Sequence, residues 1–486
     1  MNLSAKPFWQ MNLTEVAKCI EAGDISVVAL TRMMLQRISA LDPHLHSYAT
    51  VMADQAMTAA LRAEKEIASG YYKGPLHGVP IAVKDLLYTQ GVRTMGGTGA
   101  RADFVPKFDA TVIRKLSEAG AIVLGKLNLS EGAMLGYHPD FDVPVNPWNS
   151  DLWAGASSSG SGVACAAGLC FAALGTDTGG SIRAPAMANG IVGLKPSYGR
   201  VSLHGVLKLA PTLDHVGPMA RSVEDVAIVF EAMAGFDKND PTSAEISAPN
   251  IVESMKSGPG SLEAVRIGYD REYVSFGMGQ ELVAAIETSL NVLQGLGAEI
   301  VDIELPEFSP KHSETLFQIC SYEALRAHNA TYPSQSADYG KFFGDFLALG
   351  ETVSNDQYSS ALALRDNYKE LLTGVLREVD AVALPSGGPL FSIPTESHYE
   401  GMKALTQFMQ NSPMRFTIPA NFAGVPTISM PCGASSIGVP HSIQLMGSAM
   451  TEPMLCRIAY ALERNIKWQG INPRYMHESE RPEITN

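Results

Sequence analysis

The chain predicts an α/β fold on a largely parallel or mixed sheet, gathered into one large domain, and three observations carry that expectation. From Gly74 onward short apolar runs alternate with segments of helical period. Glycine punctuates the changes of element, and no linker-like stretch divides the 486 residues. Apolar residues make up 46% and charged residues 18%, which supplies a sizeable core and argues against disorder. The formal net charge of −14 speaks against a general binder of nucleic acid or anionic membrane, which needs a basic face.

Residues 12–70 read mainly as helices: Val27, Leu30, Met34 and Ile38 recur at helical spacing, and Pro43 is expected to end that run. PIAVKD, AIVLGK and FAALGTD read as strands. DATVIRKLSEAG reads as a helix with Val112, Leu116 and Ala119 on one face and Gly120 closing it. GVACAAGLCFAAL (162–174) has 13 residues, short of the roughly 20 that span a bilayer, so it reads as a buried helix feeding a strand. VRIGYD (265–270), a helix over 280–295 and AEIVDIEL (298–305) continue the rhythm, before a more polar, helical and irregular stretch from about 306 to 375. DAVALP (380–385) and VPTISMP (425–431) are the last strands expected. A final helix opens at Thr451-Glu452-Pro453, with Thr451 suited to an N-cap.

The N-terminus lacks a basic stretch followed by an apolar one, so no signal peptide is expected. The six cysteines (Cys19, Cys165, Cys170, Cys320, Cys432, Cys456) are scattered without a CxxC pair, which fits reduced core thiols and a cytoplasmic location. The eleven histidines are dispersed as well. His44 and His46 form the one close pair and have no third ligand nearby, so no metal is expected.

Three short stretches carry the candidate chemistry. Lys84 closes the strand IAVKD, and it fits either a lysine snorkelling from a strand end or a buried amine kept neutral by desolvation. GASSSGSG (155–162) has the composition of a linker, yet it sits between Trp153 and an apolar run, where it would cap a buried helix. Capping needs one serine, whereas Ser157, Ser158, Ser159 and Ser161 are all present. GTDTGGSIR (175–183) lacks the spacing of a phosphate loop. It fits an ordinary glycine-rich turn, or a nucleophile loop in which the N–H groups of Thr178, Gly179, Gly180 and Ser181 converge on an oxyanion. Asp177 and Arg183 flank it with opposite charges whose pairing would brace it.

Taken together, GVPIAVKD (78–85), GASSSGS (155–161) and GTDTGGSIRAP (175–185) closely resemble the amidase signature family. DATVIRKLSEAGAIVLGKLNLSE (109–131), GIVGLKPSYGRVS (190–202), LDHVGPMARSVED (213–225) and FTIPANFAGVPTISMP (416–431) extend the match from about Gly74 to about residue 465. The resemblance implies an amidase signature domain over 74–470, with a central mixed, mostly parallel sheet covered by helices on both faces. Within it the signature core covers about 74–235 and a variable helical pocket region about 306–375. An N-terminal helical segment, 1–73, would pack on this core, and 471–486 would form a tail. It further implies a Ser-cisSer-Lys triad: Ser181 as nucleophile, Ser157 as relay after a cis Ala156–Ser157 peptide, and neutral Lys84 as base, with Ser158 in support. No metal or organic cofactor is required. The chain departs from the family pattern at Ala156 and Ser159 in the serine segment, and at Ser442 in GVPHSIQ (438–444), where glycines are usual.

Met134, Leu135 and Tyr137 suggest an apolar or aromatic acyl pocket, with core packing an equal reading. The expected activity is hydrolysis of a neutral aryl or alkyl amide, extending to carbamates or esters with good leaving groups. The expected partner is that small molecule, with no nucleic acid and no membrane; a homodimer is left open. The rival is an amidotransferase subunit that passes ammonia from glutamine to misacylated tRNA. Against it, SEGAMLGYHPDF departs from the D-E-F-A-M-G-S pattern expected of that subunit.

Overall fold

The computed structural model describes residues 6–257, 260–401, 413–436, 438–466 and 473, so the expected tail over 471–486 lies outside the described residues except for Pro473. Among the described residues eleven strands form one sheet: β1 Tyr48–Val51, β2 Pro80–Lys84, β3 Ile122–Leu127, β4 Ala172–Asp177, β5 Val192–Lys195, β6 His215–Ala220, β7 Arg266–Tyr269, β8 Glu299–Asp302, β9 Ala381–Pro385, β10 Thr427–Ala434 and β11 Pro440–Met446. Their order across the sheet is β1-β3-β2-β4-β6-β5-β10-β11-β9-β7-β8. Parallel pairs join β3, β2 and β4 near one edge and β9, β7 and β8 at the other. Antiparallel pairs connect these two blocks and attach β1 at the edge. Every residue of β2, β3, β4, β5, β6 and β9 is buried, as it must be where helices cover both faces of a sheet.

The apolar runs named above become β2, β3, β4, β7, β8, β9 and β10. Four strands escape such a reading. In β6 the pair Gly217-Pro218 would break an isolated strand, but ladders to β4 on one side and β5 on the other hold it extended. A Cβ at Gly217 would meet the Leu194 carbonyl oxygen at 2.1 Å, so glycine permits this close approach. Strand β1 lies inside the stretch 12–70 that reads as helical, β5 holds Gly193 and Lys195 among its four residues, and β11 opens on a proline. Because β1 joins the sheet, the first 73 residues are not helical alone.

The helix Val27–Leu45 runs through Pro43 and ends at His46, which adopts a left-handed φ of 52°. Pro43 falls in the last turn, where its missing N–H forfeits a single bond. Thr451 precedes the helix Glu452–Glu463, but its hydroxyl donates to the Ser448 carbonyl (2.7 Å) instead of capping. All six cysteines are buried and free. Among the described residues no helix is long and apolar enough to cross a membrane.

Two connections set up the site. Strands β2 and β4 are parallel neighbours (Ala82 opposite Ala173, Val83 opposite Leu174), so their C-terminal ends emerge side by side. Those ends carry Lys84 and the GTDTGGSIR loop. The serine cluster leads into the buried helix Ser159–Ala166, which packs against both strands.

Candidate active site

Lys84 is buried completely, and its Nζ lies 2.7 Å from Ser157 Oγ, 2.9 Å from Ser158 Oγ and 2.8 Å from Thr176 Oγ1. The amine therefore faces three hydroxyls, and among the described residues it makes no ion pair with a carboxylate. Burial pushes its pKa well below the ordinary lysine value, while the more distant Asp177 and Asp214 pull it part of the way back. Thr176 carried no signal of its own in the sequence, although it sits inside the GTDTGGSIR stretch.

The four serines of the cluster have separate tasks. Ser157 and Ser158 meet Lys84, Ser159 Oγ lies 2.6 Å from the Tyr137 hydroxyl, and Ser161 donates to the Leu174 carbonyl at 2.9 Å. The Ser158 hydroxyl donates to the Thr176 carbonyl (3.1 Å) and accepts the Thr176 N–H (3.2 Å), which ties the cluster to β4. The Ser158 N–H donates to the Ser181 carbonyl at 3.3 Å. The Ala156–Ser157 peptide bond is cis.

The glycine-rich loop is braced from below. Asp177 accepts the N–H groups of Gly180 (2.9 Å) and Ile182 (3.1 Å) and both arms of the Arg183 guanidinium (2.9 and 3.0 Å). Arg183 places its remaining donors on the Thr417 carbonyl, Gln444 Oε1 and Asn421 Oδ1, so all five N–H groups are satisfied. Burial pushes the Asp177 carboxyl up, but Arg183 outweighs it and holds the group well below the usual carboxylate range. This brace changes one expectation. The Gly180 N–H is occupied by Asp177, which leaves Thr178, Gly179 and Ser181 as the loop N–H groups without a partner among the described residues. Gly180 itself has φ +136° and would press a Cβ against Thr417 at 3.0 Å, so only glycine fits there. Thr178 is fixed on its other side by donating to Asp214 Oδ1 at 2.6 Å.

Ser181 is partly exposed where Ser157, Ser158 and Lys84 are buried, and it opens onto a cavity. Thr178, Gly179, Gly180 and Ser181 line one side of that cavity. Met134, Leu135, Met187, Leu316, Phe317 and Met414 give it apolar walls, and among the described residues no charged side chain lines it. Of the three residues named for an acyl pocket, Met134 and Leu135 line the cavity. Tyr137 does not; it is buried behind the wall, with its ring edge against His398.

Several lining and bracing residues lie beyond the sequence expectations. Leu316, Phe317 and Cys320 come from the helix Pro310–Ala327, inside the 306–375 stretch that the sequence marks only as a region. Asn421 and Gln444 lie within the stretches FTIPANFAGVPTISMP and GVPHSIQ, but nothing local marks their long-range partners. Ser386 and Gly387, after β9, carried no signal. Among the described residues no group of three His, Cys, Asp or Glu side chains is placed to hold a metal ion.

Comparison with known proteins gives a consistent picture. The family model described as Amidase matches residues 29–456. The chain is 38% identical to a putative amidase, AmiD, of Mycobacterium tuberculosis over 94% of both chains. It is 36% identical to a glutamyl-tRNA(Gln) amidotransferase subunit of Thermosynechococcus vestitus, over 95% of this chain and 99% of that one. Among solved structures, the native peptide amidase of Stenotrophomonas maltophilia superposes with a TM-score of 0.82 at 30% identity, covering 98% of this chain and 100% of that one. A 6-aminohexanoate cyclic dimer hydrolase complexed with substrate gives a TM-score of 0.85 at 25% identity, covering 97% and 100%.

Proposed function

Because the chain belongs to the amidase family and is an amidohydrolase acting on amide C–N bonds, we propose that its substrate is a neutral carboxylic amide with an aryl or alkyl acyl group. Carbamates and esters with good leaving groups fit the same chemistry. The observation that carries this reading is the shell of Lys84, three hydroxyls at 2.7–2.9 Å around a buried amine, beside an uncharged cavity.

A neutral amine has two N–H donors and one lone pair. Ser158 has spent its proton on the Thr176 carbonyl, so it accepts one N–H from Lys84. Thr176 Oγ1 accepts the other, and the lone pair is left to the Ser157 O–H. Ser157 then takes the Ser181 proton as Ser181 Oγ attacks the carbonyl carbon, and its own proton passes to Lys84. The N–H groups of Thr178, Gly179 and Ser181 receive the charge that develops on the carbonyl oxygen. The relay returns a proton to the departing nitrogen, the amine leaves, and water releases the acyl group from Ser181. Arg183 and Asp177 take no part in the bond changes; they keep the loop in place.

The uncharged lining bears on substrate class. A charged acyl group would lose its hydration inside this cavity without finding a counter-charge among the described residues. Glutamine carries both an ammonium and a carboxylate, so the cavity lining disfavours it, although amidotransferase subunits stand among the relatives. The test is a panel of anilides, aliphatic amides, carbamates and glutamine, run with the purified protein and with Ser181→Ala. Turnover of aryl or alkyl amides that disappears in Ser181→Ala is the expected result. Release of ammonia from glutamine alone, and only with partner subunits added, would overturn it.

A further inference from the structure

Three serines from three adjacent strands meet behind the wall of the substrate cavity. Ser386 follows β9 and lines the cavity, Ser429 lies on β10, and Ser442 lies on β11. All three are buried. The Ser442 hydroxyl donates to the Met430 carbonyl at 2.8 Å, and the Ser429 hydroxyl donates to Ser386 Oγ at 2.6 Å. Ser386 Oγ lies 2.9 Å from Ser442 Oγ. Each hydroxyl owns one proton. Ser429 Oγ also lies 3.2 Å from Ser442 Oγ, but with the Ser429 proton on Ser386 and the Ser442 proton on Met430, the proton between Ser386 and Ser442 comes from Ser386. The Ser386 N–H also donates to the Ser442 carbonyl, at 3.3 Å. Ser442 therefore holds the wall residue at two points and turns its only side-chain donor away from the cavity.

We propose that Ser442, one of the positions where this chain departs from its motif, is a positioning residue for substrate selection. It keeps the Ser386 hydroxyl proton out of the cavity, so that this wall offers the acyl group no donor. The wall then penalises any acyl chain that carries a hydrogen-bond acceptor, because the acceptor loses water and gains nothing. The inference rests on the proposed apolar amide substrate and deepens it.

The test compares an anilide with a plain alkyl acyl chain and one with the same chain interrupted by an ether oxygen, which can only accept. Removing the Ser442 hydroxyl frees the Ser386 proton to reach that oxygen. In both Ser442→Ala and Ser442→Gly, the wild-type preference for the alkyl anilide falls about threefold to tenfold, the worth of one neutral hydrogen bond, and the change falls on KM rather than kcat. In the double variant Ser386→Ala/Ser442→Ala the donor is gone, and the wild-type preference returns. Ser386→Ala alone leaves the preference unchanged, a measurement that stands even if neither Ser442 variant folds. An unchanged preference in the folded Ser442 variants, a double variant that keeps the shift, or a shift in Ser386→Ala alone sinks the proposal. Should the wild type turn over neither anilide, the functional reading fails separately. The same preference is then read from dissociation constants of the two anilides on the Ser181→Ala protein, by calorimetry.

Discussion

Two buried lysines stand side by side in the sheet and differ in one respect. Lys84 ends β2 and Lys126 lies on β3, in register one position apart (Val83 opposite Lys126, Lys84 opposite Leu127). Both are fully buried, and burial lowers the pKa of both. Lys126 Nζ lies 3.4 Å from Asp85 Oδ1 and donates to Thr94 Oγ1 (2.7 Å) and the Leu87 carbonyl (2.5 Å), so a carboxylate draws its pKa back up. Among the described residues Lys84 has hydroxyls alone within hydrogen-bond distance. Burial is common to the two, so in the proposed mechanism it is the partner that separates the base, Lys84, from a lysine paired with a carboxylate. The sequence pair Lys84-Asp85 makes the point sharply. Successive residues at a strand end point to opposite faces, so Asp85 serves the neighbouring lysine and not its own.

The largest effect expected is the loss of turnover in Ser181→Ala and Lys84→Met, by at least about 10²–10⁴-fold in kcat with folding intact, since each removes a group that reacts in the proposed mechanism. Steady-state kinetics beside a urea unfolding curve check it, and full activity in either variant removes that residue from the mechanism. The pH profile belongs to the same comparison. In the proposed mechanism the free amine is the active form, so the rate should fall as pH drops through the depressed Lys84 pKa. A rate that stays flat from neutral pH down to about 5 contradicts a neutral-lysine base.

A more direct way to break the contrast is to give Lys84 the partner that Lys126 has. Thr176→Asp places a carboxylate where the third hydroxyl now stands. The charged amine is then favoured, and turnover at neutral pH falls by about 10²-fold or more while the profile moves to higher pH. An unmoved profile in the folded variant would show that the hydroxyl shell does not set the base. The reverse experiment is Lys126→Met, which strands Asp85 as a buried, unpaired carboxylate and costs about 3–5 kcal/mol of stability in denaturant unfolding. The folded fraction should keep its kcat, because Lys126 touches no reacting group.

How far the site was legible in the sequence follows from distance along the chain. The two serines that Lys84 meets lie in a stretch of unusual composition, and the Asp177–Arg183 pair is six residues apart, so both could be anticipated from local pattern. Lys84 itself ends an ordinary apolar strand, and only the family resemblance joined it to those serines. The groups that complete the brace, Asn421 and Gln444, are 238 and 261 residues from Arg183, and no periodicity or spacing joins them to it. The same limit explains β6, whose Gly217-Pro218 pair speaks against a strand until the ladders on both sides exist. It also explains Gly180. Composition suggested four free N–H groups, and only the side-chain direction of Asp177 shows that one is taken.

The smallest effect expected extends the comparison from lysines to a carboxyl. Glu131 is buried just before Ala133 and Met134 of the cavity wall, and it accepts the Gly340 N–H at 3.0 Å. That bond ties the wall to the segment leading into the helix Lys341–Thr352. Like Lys84, Glu131 has no opposite charge in an ion pair among the described residues, and burial pushes its pKa up to about 7. A carboxyl raised in the folded state binds its proton more tightly there than in the unfolded chain. Its stabilising contribution is complete below the ordinary value of about 4.5 and is lost as pH rises through about 7. Glu131→Gln cannot ionise, and its amide oxygen can still accept from Gly340. The variant should therefore match the wild type near pH 5 and exceed it at pH 8, by on the order of 1–2 °C in Tm, a small shift for a chain of this size. Thermal melts across that range decide the matter. Parallel curves for the two proteins would mean that Glu131 already finds a compensating charge, and that the likeness to Lys84 ends at burial.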